Sequence, residues 1–175
     1  MMLNESLGLF PVESCLYIIE VKSLLNTTEL RKSHESALTI KHTLVYSNQN
    51  ARYDLTRSLL FAFSSDLAEG GSAQYKSECQ RYQNLYETDS SYLSVDASGI
   101  PYSPPIRALC VIGREYGHER DGKWTGTFSD NAGSEVLLFI GGIINTYRSI
   151  AKTRQPIRME DYAFPQNTVF QQLSP

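Results

Sequence analysis

The 175-residue chain has three cysteines, Cys15, Cys79 and Cys110, far apart and with no C-x-x-C pair. That argues against a cysteine-ligated zinc site or a disulfide framework, and a reducing, cytoplasmic setting is expected. Cys15 and Cys110 sit in apolar runs and read as small core residues. No apolar run approaches the roughly 18 residues needed to cross a membrane. The opening, MMLNESLGLFPVE, lacks the basic start and long apolar stretch of a secretory signal, so no membrane association is expected. Basic residues do not dominate: 16 Lys and Arg against 19 Asp and Glu give a net charge of −3. A strongly basic nucleic-acid binder is not indicated, although a local basic patch is compatible with that balance. Neither G-x-x-x-x-G-K-[ST] nor G-x-G-x-x-G occurs, so no phosphate loop is expected. His34, His42 and His118 have no motif-like Ser or Cys partner, which argues against nucleophilic hydrolysis. There is no internal repeat and no low-complexity tract.

What is present is an ordinary globular composition, 41% hydrophobic and 20% charged, of a length that suits one core. Eleven tyrosines are many for this length, and tyrosine suits interfaces as well as cores. The chain is organised around Leu16–Ser23, LYIIEVKS, an apolar strand ending in a carboxylate and an ammonium two residues apart. Side chains alternate along a strand, so Leu16, Ile18, Glu20 and Lys22 share one face, and Tyr17, Ile19 and Val21 the other. An acid and a lysine so placed suit metal-dependent phosphodiester cleavage. The acid helps hold a hard cation, Mg²⁺ or Mn²⁺, through oxygen. The lysine orients the attacking water and offsets charge on the phosphate. The same tripeptide also reads as a solvated edge or a same-face ion pair.

Onward from that strand, Thr27 or Thr28 caps an expected helix of about 18 residues through TELRKSHESALTIKHTLVYS. Leu30, His34, Leu38, Lys41 and Val45 form its stripe, joined by Ala37 and Leu44. His34 and Lys41 read as helix flank or as groups aimed at a phosphate. Residues 47–57 read as loop, Ser58–Ser64 as a buried strand, and Ala73–Tyr86 as a helix with a stripe of Tyr75, Cys79, Tyr82 and Tyr86. That stripe suits a core or an interface better than base stacking. Residues 88–105 read as loop and Ile106–Gly113 as a strand. Asp121-Gly122 is a tight-turn dipeptide, with Lys123–Phe128 the second arm of a hairpin. Ser134 caps a last helix, Glu135–Lys152, apolar nearly all round and expected to be buried against the sheet or a partner. Its Gly141-Gly142 pair permits close approach of another backbone. The order strand, helix, strand, helix, strand, strand, helix predicts an α/β fold, a small mixed sheet flanked by helices, over residues 1–152. Residues 153–175 are expected to form an extended tail that wraps the domain or reaches a neighbour.

FPVESCLYIIEVKS, followed by a helix and an apolar strand, resembles the uncharacterised DUF6602 family, which is similar to the PD-(D/E)xK nuclease superfamily. The resemblance covers roughly residues 9–150 and is specific over 10–23. It implies a restriction-endonuclease-like core and metal-dependent cleavage of DNA. Glu20 would be the metal-binding acid and Lys22 the catalytic lysine. Glu13 would be a second metal ligand or a structural cap. Ser23 would steer the strand exit. The superfamily's first acid lies on an earlier strand, whereas none of the nineteen residues before Glu20 is Asp. The chain therefore reads as a core lacking its first elements. Such a chain would expose a sheet edge and an apolar face. Self-association is expected, with helices 73–86 and 135–152 as the contacts. Three readings stand open: a Mg²⁺- or Mn²⁺-dependent endonuclease, an inactive remnant serving as a homo-oligomeric or nucleic-acid-binding module, and an unrelated α/β protein.

Overall fold

A computed structural model describes residues 15–43, 56–68, 71–72, 74–89, 103–120, 123–128 and 133–152. Glu13, Leu44, Val45, the Asp121-Gly122 turn and the tail lie outside them, as do most of the expected loops. The elements are β1 (Tyr17–Lys22), α1 (Thr27–Thr43), β2 (Arg57–Ala62), α2 (Glu78–Glu87), β3 (Ile106–Val111), β4 (Glu115–Arg120), β5 (Lys123–Phe128) and α3 (Ser134–Lys152). They form a mixed α/β fold with one five-stranded sheet in the order β1-β2-β3-β4-β5. β1, β2 and β3 run parallel, and β4 and β5 return antiparallel.

The two crossover helices lie on one face of the sheet and α3 on the other. Consecutive parallel strands stepping in one direction require both crossovers on the same face when both are right-handed. The first face buries Leu30 and Ala37 of α1 and Cys79, Tyr82 and Tyr86 of α2 against Leu60, Ala62, Leu109 and Val111. The second packs Phe139, Val136 and Ile143 of α3 against Leu59, Cys110 and Tyr116. β2 and β3 are buried on both sides, which is why they read as unbroken apolar runs.

The sequence predicts four strands and the described residues form five. Residues 115–120 read as a charged connection, yet they form β4. Its acids are buried with partners. Glu119 pairs with Arg107 of β3 at 2.9 Å, and Glu115 accepts the Cys79 amide at 2.9 Å. A buried, paired charge defeats the polarity signal that marks a loop. The hairpin partner of β5 is therefore β4, not β3. The second helix starts at Glu78 rather than Ala73, because the Ser77 side chain accepts the Gln80 amide and caps it. Asn26, not Thr27 or Thr28, caps α1: its Oδ1 accepts the Glu29 amide at 2.9 Å. Ser134 is the first residue of α3 rather than the cap before it.

Two glycines allow side-chain approach that nothing larger would. A Cβ on Gly117 of β4 would lie 2.0 Å from the Cys79 sulfur, so α2 seats its thiol where β4 has no side chain. A Cβ on Gly142 would lie 2.6 Å from the Tyr116 hydroxyl. The close approach expected at Gly141-Gly142 is thus to a tyrosine of β4 rather than to a backbone.

Candidate functional site at the end of β1

Among the described residues β1 is an edge strand of the sheet, and Glu20 and Lys22 leave it on the face toward α1. The Lys22 ammonium lies 2.8 Å from Glu20 Oε1 and 2.7 Å from Glu29 Oε2. Glu29 belongs to the first turn of α1, directly over the end of β1. Its other oxygen accepts from Lys32 Nζ at 2.7 Å. The Asn26 cap fixes the Glu29 backbone, so the side chain has a short, defined reach back to the strand. Two acids and two lysines thus alternate across a strand end and a helix start.

The charges set one another's proton affinity. Lys22, then Lys32, hold the Glu29 carboxyl down to about 2 from 4.5. Glu20, then Glu29, raise Lys22 above its usual 10.5. Both partners of the Lys22–Glu29 pair remain partly open to solvent, so each ion pair contributes little to stability. A cluster worth so little to folding is held by its geometry, with one ammonium locked between two carboxylates.

The donor chemistry fits a hard cation. Mg²⁺ is commonly bound by one or two carboxylates, keeping water and substrate oxygens in its other positions. Glu20 and Glu29 supply that number from two different elements. Among the described residues no group of three His, Cys, Asp or Glu side chains is placed to hold a metal. The sequence pattern does not single out Glu29, because an acid in the first turn of a helix is common for the helix dipole alone. The available signal was its position three residues after Asn26, where a capped helix start aims N3 back toward the preceding strand.

The other polar residues singled out in the sequence serve the core. His34 is 1% exposed. Its Nε2 lies 2.8 Å from Asp89 and its Nδ1 3.2 Å from the Tyr82 hydroxyl, which accepts the Ile106 amide at 3.0 Å. It is neither helix flank nor aimed at a phosphate; it ties α1 to the end of α2. Burial, the largest influence, lowers its pKa below 6.5 against the opposing pull of Asp89. Lys41 donates to the Ser103 carbonyl at 2.9 Å. Tyr82 and Tyr86 are core residues, so α2 does not offer its tyrosine stripe to a partner.

A second charged cluster was not anticipated. Arg81 is buried and pairs with Glu78 at 2.6 Å and Asp66 at 2.7 Å. Ser65 donates to the other oxygen of Glu78. Burial raises the Glu78 pKa. With the Arg81 guanidinium also reaching the Leu25 carbonyl at 3.4 Å, this network locks α2 to the segments leaving β1 and β2.

A cavity of about 220 Å³ lies at the far edge of the sheet, between the start of α2 and β5, lined by Ser77, Cys79, Glu115 and Trp124 among others. Burial, then Glu115, push the Cys79 thiol well above 9.0, and burial pushes Cys110 up to about 12. Neither is a nucleophile near neutral pH. Among the described residues no helix is long and apolar enough to cross a membrane. Compared with known proteins, the chain matches no family model and no curated protein.

Proposed function

We propose that this protein is a PD-(D/E)xK-like hydrolase that cleaves DNA phosphodiester bonds with Mg²⁺ or Mn²⁺ at the end of β1. The observation that carries this reading is the Lys22 ammonium held within 2.8 Å of two carboxylates on one strand-helix junction. Carboxyl ends of parallel strands are where open α/β sheets place their sites. In this reading Glu20 and Glu29 are the metal ligands. Glu29 supplies from α1 the second carboxylate that the resemblance places on an earlier strand. The cation, when bound, supplies Lewis acidity toward the phosphate and lowers the pKa of its water.

Lys22 has the remaining roles. Its ammonium orients the attacking water and offsets negative charge gathering on the phosphate. Glu20 and Glu29 would hold the cation through the oxygens that now pair with Lys22, and the ammonium would then be available to the substrate. The test is cleavage of duplex and single-stranded DNA with Mg²⁺ or Mn²⁺, comparing the wild-type chain with Lys22→Ala. Metal-dependent cleavage lost in the variant is the expected result. Equal products from both proteins, or none from either, would count against it.

One observation favours the inactive alternative. Lys22 is already neutralised by its two acids, an arrangement that also makes a self-contained clasp between β1 and α1. In that reading the domain acts through its contacts and both proteins leave DNA intact.

A further inference from the structure

We infer that the α3 side of the sheet carries a homodimer interface, in which α3 of each copy fills an apolar groove of the other. The inference is independent of the hydrolase reading. α3 carries two apolar seams. Val136, Phe139, Ile143, Thr146 and Ile150, spaced three and four apart, face the sheet, with Phe139 and Ile150 buried. Leu137, Ile140, Ile144 and Tyr147 repeat that spacing one residue on, and all four are exposed. One residue is about 100° of helix rotation, so the second seam lies on a flank.

The contacts say which flank. Gly142 meets Tyr116 on β4, and Thr146 meets the Tyr17 hydroxyl on β1 at 2.6 Å. Going round the helix from β4 toward β1 and beyond, one arrives at Ile144 and Tyr147. The open seam therefore looks over the β1–β2 end of the sheet. There no described element covers the sheet face either: Ile19 and Val21 share the face of Tyr17, and the Phe63 ring stands against Phe61, itself packed on Phe139. All three are exposed. A wall and a floor, both apolar, make a groove.

A second copy is the occupant these features fit. The seven side chains are between 42% and 73% exposed, and at roughly 200 Å² for a free large side chain they leave on the order of 800 Å² open, the area per partner of a standard interface. That exceeds the apolar patch usual on a monomer. The 3-4 spacing of the open seam is what helix-to-helix packing requires of both partners. None of its four residues is charged, so a twofold axis brings no like charges together there.

The test is molar mass by light scattering across a wide concentration range, for the wild-type chain, Ile144→Asp in the open seam and Leu138→Asp on the opposite flank. The wild-type chain is expected to be dimeric, Ile144→Asp to self-associate at least about tenfold more weakly, and Leu138→Asp to behave as wild type. Val21→Lys, on the groove floor, gives the same reading should Ile144→Asp fail to fold. A wild-type monomer throughout, seam and floor variants that remain as dimeric as wild type, or a Leu138→Asp as dissociated as Ile144→Asp, would each overturn the inference.

Discussion

Lys22 sits between two acids, and that single placement sets the acid behaviour of the site. Glu29 has a folded-state pKa of about 2 against an ordinary 4.5. The unfolded chain therefore takes up this proton first as pH falls. The stabilisation from Glu29 is complete above pH 4.5 and is lost between there and about 2. His34 also binds its proton less well when folded, so its contribution begins to fall earlier, below pH 6.5. In Lys22→Ala, Glu29 keeps only Lys32 as a partner. Its carboxyl is expected to titrate closer to 4.5 by NMR, and urea unfolding between pH 4.5 and 2 is expected to show a shallower loss of stability. Unchanged Glu29 titration would contradict the paired geometry. Glu20 and Lys22 were legible from strand alternation alone. Glu29 was not, because its role depends on how α1 turns back over β1, which a linear pattern does not encode.

At the level of elements, the seating of α2 on the sheet depends on what β4 omits. Gly117 leaves room for the Cys79 sulfur at a position where a Cβ would be 2.0 Å away. Gly117→Ala is expected to destabilise by about 1–3 kcal/mol through overpacking, measured by urea denaturation. Cys79→Ala in the same chain is expected to recover most of that loss, since it removes the colliding atom. A Gly117→Ala protein as stable as wild type would show that α2 is not seated as described. β1, β2, β3 and α3 were legible because their apolar runs and periods are long. β4 was not: YGHER has one large apolar residue, and Glu115 and Glu119 become core residues only because the Cys79 amide and Arg107 meet them. The start of α2 was also misplaced, since a helical stripe from Tyr75 continues without a break in the sequence while the Ser77 cap ends the helix backbone at Glu78.

Across the whole molecule, the two faces of the sheet have different tasks. The face under α1 and α2 holds the buried networks around Arg81 and His34 and, at its edge, the Glu20–Lys22–Glu29 cluster. Among the described residues the face under α3 is half covered and carries the groove that we propose takes a second copy. Residue alternation in β1 links them, for it sends Glu20 and Lys22 to one face and Ile19 and Val21 to the other. That division was readable from LYIIEVKS; which face lay under helices was not. The proposed cation site at this cluster is tested most directly by Mn²⁺ titration calorimetry on the wild-type chain, Glu20→Ala, Glu29→Ala and Lys22→Ala. Binding is expected, abolished by either acid substitution and tightened in Lys22→Ala, where the competing ammonium is gone. Wild-type and Lys22→Ala proteins that both fail to bind Mn²⁺, or binding indifferent to Glu20 and Glu29, would contradict it.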